Sequence, residues 1–347
     1  MHPSRIAVFR ALQLGDMLCA VPALRALRAC QPKTHITLIG LPWASDFACR
    51  FNHYIDDFMP FPGAPGLPEQ ETEPERLAAF YDAARQRRFD LSIQLHGSGD
   101  VSNVVNMELG AGRTAGFVPS DQAADADYLP WPQQVPEIER CLLLLSHLGY
   151  ASCGNQLEFP LEAADRAAAA ALREKYHLRA GGYICLHPGA RMLSRRWPIT
   201  RFAAVARQLA ARGWPIVLTG TDAETLLAKA FSEQFAAPFI DLCGRTSLGA
   251  LAALIADSRL LLCNDTGVSH IAAALRTPSV VVACGSDVAR WAPLDRRLHA
   301  VVADYPPCRP CMHWVCPIGH PCALAIDADQ VAHVTLRLLA EENTYVA

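Results

Sequence analysis

No stretch of this chain is apolar for the roughly 18 residues that a membrane-crossing helix needs. Its opening, MHPSRIAVFR, has neither the long apolar core nor the small-residue cleavage site of a secretory signal, so the expected compartment is the cytoplasm. There is no basic excess. The 31 Lys and Arg face 34 Asp and Glu, a net charge of −3 with His neutral, which argues against bulk nucleic-acid binding. There is no short-period repeat and no long low-complexity tract, so the chain is not a repeat array. What remains is the profile of an ordinary globular protein, 51% hydrophobic and 19% charged over 347 residues. At about 150 residues per domain, that length predicts two domains.

Short β-branched runs alternate with Ala/Leu/Arg-rich helical patterns, as in a doubly wound parallel sheet of α/β class. RIAVFR reads as a strand, 16–29 as a helix, HITLIG as a strand, 77–88 as a helix, and FDLSIQLHG as a strand with a polar end. The pattern then restarts. GYICLHPGA is a strand, 199–212 a helix and PIVLTG a strand; another helix and strand follow, then a helix at 248–258. RLLLCNDTG, the helix VSHIAAAL and the strand SVVVACG complete this half. Two similar halves are expected, 1–160 and 161–347. A Pro/Gly/Glu-rich surface loop is expected at 61–74, and a closing helix at 330–341 that packs back on the first half.

Three motifs carry chemistry in the second half. In CNDTGVSHIAAAL a strand delivers Asp265, Thr266 and Gly267 into a helix start, whose free N–H groups and dipole suit an anion; alternatively Asp265 or Thr266 simply caps the helix. His270 follows in the first turn as a secondary candidate. In HPGARMLSRRWP a strand ends in a loop presenting Arg191, Ser194, Arg195 and Arg196, forked cations suited to a diphosphate or merely a solvated basic loop. In VLTGTDAE, Glu224 lies one turn beyond a strand, where a carboxylate can accept from ribose hydroxyls or favour a helix start. In the first half, Asp16 of LQLGDML stands where a strand gives way to a helix, as a cap or as a cleft-facing base. His96 ends FDLSIQLHG, as an acceptor-side residue or a surface histidine.

Taken in order, LGD, HPGA…RRWP, G-x-x-x-E and NDTGxSH resemble landmarks of the ADP-heptose:lipopolysaccharide heptosyltransferase family, glycosyltransferase family 9. FDLSIQLHG and GRTAGF extend the resemblance, which runs from Arg5 to the cysteines near the C-terminus. It implies a GT-B fold, two Rossmann-like domains facing across a cleft, with the nucleotide sugar held mainly by the second. It implies inverting transfer of heptose from ADP-heptose to a lipopolysaccharide inner-core acceptor, without a metal or other cofactor. Asp16 then matches the catalytic base. Arg195 stands where the family usually has a diphosphate-binding Lys, and Arg196 could share that role. Glu224 matches the ribose contact, Thr246, Ser247 and Leu248 the adenine side, and Asp265, Thr266 and Gly267 the phosphate-and-sugar turn. A lipid-linked acceptor implies work at the inner face of the cytoplasmic membrane. For that contact Arg85, Arg87 and Arg88 offer either basic surface or a solvated helix face. Transfer of another nucleotide sugar, nucleotide-sugar epimerisation and non-catalytic nucleotide binding are the competing readings.

Of the 13 cysteines, nine are scattered, and most of these read as small buried hydrophobes. Cys308, Cys311, Cys316 and Cys322 cluster with His313 and His320 in CRPCMHWVCPIGHPC. The CxxC spacing suits a metal, but the favoured expectation is a structural loop, with structural zinc or a redox-labile disulfide as the lesser one.

Overall fold

The computed structural model describes residues 3–341. The chain divides into two units, Met1–Gln156 and Leu157–Ala347, each with its own sheet. In the first unit the strands are β1 (Arg5–Phe9), β2 (His35–Gly40), β3 (Asp57–Pro60), β4 (Leu91–Gln94), β5 (Arg113–Val118) and β6 (Tyr128–Pro130). They lie in the order β3-β2-β1-β4-β5-β6, and every pairing is parallel. β1 is central and buried on both faces, which is why it reads as an unbroken apolar run. The order reverses between β1 and β4, and ligands of such sheets bind beyond the carboxyl ends of the strands at that crevice.

The helix expected at 16–29 is two helices, Leu14–Cys19 and Val21–Cys30, joined at Ala20. Pro22 causes the break. It is tolerated as the second residue of the new helix, where its missing N–H would have had no partner in any case. The segment 61–73 is irregular, as expected of a loop, and Pro74 opens the helix Pro74–Gln86.

The second unit repeats the plan with β7 (Ile184–His187), β8 (Ile216–Leu218), β9 (Ile240–Asp241), β10 (Leu260–Asn264), β11 (Ser279–Ala283) and β12 (His299–Ala303). The order is β12-β11-β10-β7-β8-β9, again parallel throughout, so the crevice falls between β7 and β10. Trp197, Phe202, Phe231 and Phe235 fill one side of this sheet. The final helix is Ala328–Glu341. Val331, Ala332, Leu338 and Leu339 are buried in the second unit's own core, and the Arg259 guanidinium donates to Leu339 O at 3.0 Å. Among the described residues, no helix is long and apolar enough to cross a membrane.

Candidate active site

At the carboxyl edge of the first sheet, Asp16 is the third residue of Leu14–Cys19 and half-exposed. The N-cap is Gln13, which makes no side-chain cap bond. Asp16 is therefore not the cap itself; it lies in the first turn, where the helix dipole favours an anion. The loop before it is held from below by Arg10, 1% exposed. Arg10 Nε donates to Asp16 O at 2.9 Å, one terminal nitrogen donates to Leu95 O, and the other pairs with Glu137 Oε1 at 2.9 Å. Glu137 also binds Arg140, whose guanidinium lies 4.2 Å from the Trp131 ring centre. Burial alone would lower the pKa of Arg10, but Cys141, Glu137 and Asp16 together raise it above its ordinary value. The buried guanidinium thus stays charged beneath the loop.

His96 grips the same loop from β4. It is buried, its ring stacks on Phe9 with centres 5.0 Å apart, and its Nδ1 accepts the Ala11 N–H at 3.1 Å. An accepting Nδ1 puts the proton of the neutral ring on Nε2, which lies 3.6 Å from Glu69 Oε2. The surface-histidine alternative does not hold: residue 69, from the loop 61–74, covers this ring. Arg10 and Glu137 belong to none of the sequence motifs. The available signal was a charged residue directly after four buried strand positions, which must find a partner.

In the second unit three connections meet at the β7/β10 crevice. Asn264, fully buried at the end of β10, accepts the Trp197 N–H at 3.0 Å and donates to Pro188 O at 2.7 Å. One amide thereby ties the HPGA turn to the RRWP segment. Glu224 Oε2 accepts the N–H and hydroxyl of Thr221 at 2.9 and 3.0 Å, closing a capping box. Glu224 Oε1 faces Arg196 at 3.8 Å, and Arg196 Nε donates to Ala190 O at 2.8 Å. The carboxylate lies directly over Gly189, so closely that any Cβ there would collide with it. Beneath, His187 Nδ1 meets Thr219 Oγ1 at 3.1 Å. The Thr219 hydroxyl gives its proton to Leu186 O, so His187 Nδ1 is the donor. Burial depresses the imidazole's pKa, with Glu224 opposing. Beside this corner the helix Gly267–Leu275 begins at Thr266, extended and without a side-chain cap bond. Ser269 turns both its N–H and its hydroxyl onto Thr266 O at 2.9 and 2.8 Å. With the Ser269 N–H taken, the N–H groups of Gly267 and Val268 are the ones at the helix start that suit an anion.

A carboxylate, a guanidinium and an uncapped helix start at one parallel-sheet crevice suit a sugar nucleotide. The family model of glycosyltransferase family 9 (heptosyltransferase) matches residues 77–321. The chain belongs to that family. It is 37% identical over 101 residues to lipooligosaccharide heptosyltransferase 2 of Haemophilus ducreyi, but spans only 29% of that relative's length. It is 25% identical over 295 residues to lipopolysaccharide heptosyltransferase 2 of Salmonella typhimurium, covering 80% of this chain and 82% of the relative. Its fold matches the solved E. coli heptosyltransferase WaaC with ADP-2-deoxy-2-fluoro heptose, with TM-score 0.69, 20% identity, and 96% and 99% of the two chains covered.

Within this family 9 chain the two adjacent arginines part company. Arg196 turns to Glu224, as described. Arg195 turns away, with its guanidinium donating to Cys311 O and lying 3.6 Å from Cys311 Sγ and 3.5 Å from Cys284 O. Gly285 (φ +67°) passes so close that a side chain there would strike it. Ser194 is also committed. Its N–H donates to Trp314 O at 3.0 Å, its hydroxyl to His313 O, and its carbonyl meets His320 Nε2 at 2.9 Å. Ser194 and Arg195 thus pin the cysteine-rich segment. Ser247 caps the helix Leu248–Ala256 by accepting the Ala250 N–H at 3.2 Å, with Thr246 and Leu248 half-buried on either side. His270 is buried and close enough to His299 to bear on its charge.

All 13 cysteines are free thiols. Burial pushes Cys185, Cys243 and Cys284 up to about 12, which keeps them inert. In the C-terminal segment Cys311 meets Arg195, Cys316 Sγ accepts the His320 N–H at 3.1 Å, Cys322 is buried and Cys308 is exposed. Among the described residues no three metal-binding side chains converge, so these four thiols do not form a preassembled zinc site.

Proposed function

We propose that the chain transfers heptose from ADP-heptose to a lipid-linked lipopolysaccharide inner-core acceptor, with inversion at the anomeric carbon. The observation that carries this reading is the β7/β10 corner, where Glu224 is fixed over Gly189 with Arg196 beside it, next to an uncapped helix start. Membership of family 9, the relatives' names and the ADP-heptose analogue bound to WaaC support the donor and the acceptor class. Glu224 accepts from the ribose hydroxyls. Thr246, Ser247 and Leu248 border the adenine, and Asp265, Thr266 and Gly267 hold phosphate and sugar. The acceptor hydroxyl attacks the anomeric carbon opposite the leaving ADP, and Asp16 takes its proton. Arg196 and the helix start at Gly267 stabilise the charge that grows on the diphosphate, the electrostatic task a metal performs in other transferases. Because Arg195 is held by Cys311, the diphosphate role falls to Arg196. His96 and Arg10 position the connection from β1 into the helix carrying Asp16. The lipid-linked acceptor places the reaction at the inner face of the cytoplasmic membrane.

The test is ADP release from ADP-heptose with and without a lipid A–Kdo acceptor. The expected result is acceptor-dependent release that Asp16→Asn nearly abolishes, with ADP-heptose binding and Tm unchanged. Near-normal turnover of Asp16→Asn overturns the base assignment. Release that ignores the acceptor overturns the transferase reading.

A further inference from the structure

Of the eleven exposed large apolar side chains among the described residues, six lie between Tyr305 and Leu324. Met312 is 86% exposed, Ile318 62% and Trp314 52%, with Val315 beside them. Isolated exposed apolar residues need no explanation, but a cluster confined to one segment marks an interaction surface. This segment is a fixed loop, not a loose one. Cys311 N–H donates to Gly285 O at 2.9 Å, Arg309 Nε to Ser286 O at 2.9 Å, and the Ser194 contacts hold its middle. These inward bonds fix the backbone while the apolar side chains stay exposed, so burying them carries little ordering cost.

The charges around the patch say what covers it. No Asp or Glu occurs from Tyr305 to Ile326, in a chain with 34 of them. The exposed Arg191 lies 5.6 Å from the Trp314 ring centre, while Arg309, 4.8 Å from that of Tyr305, is turned inward onto Ser286 O and Asp304 O. Aromatic rings flanked by Arg are the side chains that settle at the headgroup level of a bilayer, ring toward the acyl region and cation at the lipid phosphates. The tip is an irregular loop with Pro306, Pro307, Pro310 and Pro317. It offers no strand edge or long apolar helix stripe for a protein partner, whereas a fluid apolar phase requires neither. The basic trio of the first unit does not compete for this role as a set. Arg87 pairs with Asp57, and Arg85 with Glu108 and Asp82.

We propose that the loop carrying Met312, Trp314, Val315 and Ile318 is a membrane-docking wedge that inserts into the surface of an anionic phospholipid bilayer. This rests on the proposed function only for why a bilayer is at hand, since the acceptor is lipid-linked. The test therefore uses lipid without donor or acceptor. The full chain is floated with phosphatidylethanolamine vesicles containing phosphatidylglycerol, beside the triple variant Met312→Ser/Trp314→Ser/Ile318→Ser and the single variant Met312→Asp. The single variant changes the most exposed side chain and leaves the fold intact. The wild type is expected to float with the vesicles. The triple variant should lose about tenfold or more in partitioning, and Met312→Asp a smaller but measurable share, both with unchanged Tm. A wild type that stays in the soluble fraction overturns the proposal, as does a triple variant that floats equally well. So does a wild-type dimer that the triple variant converts to monomer, since a second copy would then cover the patch. If vesicle binding behaves as expected while no nucleotide sugar turns over, the docking surface stands and the transferase reading falls.

Discussion

Arg195 and Arg196 are adjacent in the chain, and their guanidinium groups serve different neighbours. Arg196 faces Glu224 and Ala190 at the sugar-nucleotide corner; Arg195 is wrapped by the carbonyl and thiol of Cys311. Arg196→Ala is expected to weaken ADP binding by roughly tenfold or more, the scale of one charge-assisted bond to a phosphate, with Tm little changed. Arg195→Ala should leave ADP binding within a few-fold and instead open residues 305–324 to proteolysis. Isothermal titration with ADP and limited digestion of the two variants check the division. If Arg195→Ala proves to be the variant that loses ADP, the family's Lys position keeps its diphosphate role here. Arg10 is the other residue whose work is settled by its partners. Arg10→Met leaves Glu137 buried with one fewer counter-charge and frees the helix start at Asp16. Breaking a buried pair from one side costs about 3–5 kcal/mol. A drop of that size in the urea stability of the first unit is expected, together with a loss of turnover.

At the scale of the element, the sequence shows the interior of each sheet and little of its rim. β1, β2, β4, β7, β8, β10 and β11 are all readable as apolar runs because both their faces are covered. β3, β6 and β12, which show no strand signal in the sequence, lie at sheet edges, and β9, at the remaining edge, shows there without clear bounds. Each is short or half-buried, and the signal of a buried run is absent where nothing buries it. β5 hides behind its exposed Arg113 and its Gly116. The motifs that place the site were legible because strand ends and helix starts are local. The Arg10–Glu137 pair spans 127 residues and the Arg195–Cys311 contact spans 116, so no local pattern could reveal them. One further element-level contact has a consequence with pH. His299, at the start of β12, bonds Ser279 on β11 at 2.8 Å. Burial, against the opposing pull of Asp295, lowers its pKa from 6.5 to about 4. A folded-state pKa below the unfolded one means the unfolded chain takes up the proton first as pH falls. Stability is then full above about pH 6.5 and declines toward pH 4, by up to about 3 kcal/mol from this group. His299→Gln, which does not titrate, should remove that share of the slope in urea midpoints measured between pH 7 and 4.5.

For the whole molecule, the decisive feature is that each unit buries its own sheet in its own core. The last helix contributes Val331, Ala332, Leu338 and Leu339 to the second core. The residues proposed to hold the nucleotide, from Arg196 through Glu224 to Gly267, all belong to that unit. A ligand that binds only the folded form stabilises what it binds by mass action, about 2.7 kcal/mol at a hundred times Kd. ADP at that concentration should therefore slow hydrogen exchange of the core amides of β7, β10 and β11 about 100-fold where they exchange by opening of the unit. The core amides of β1, β2 and β4 should keep their rates. Mass-spectrometric exchange resolved to these strands reads both arms at once. Equal protection in the two sheets would mean that the units open together and that nucleotide affinity is shared across them. Protection confined to the second sheet would fix the donor site within residues 157–347 and leave Asp16, across the chain division, to act on the acceptor.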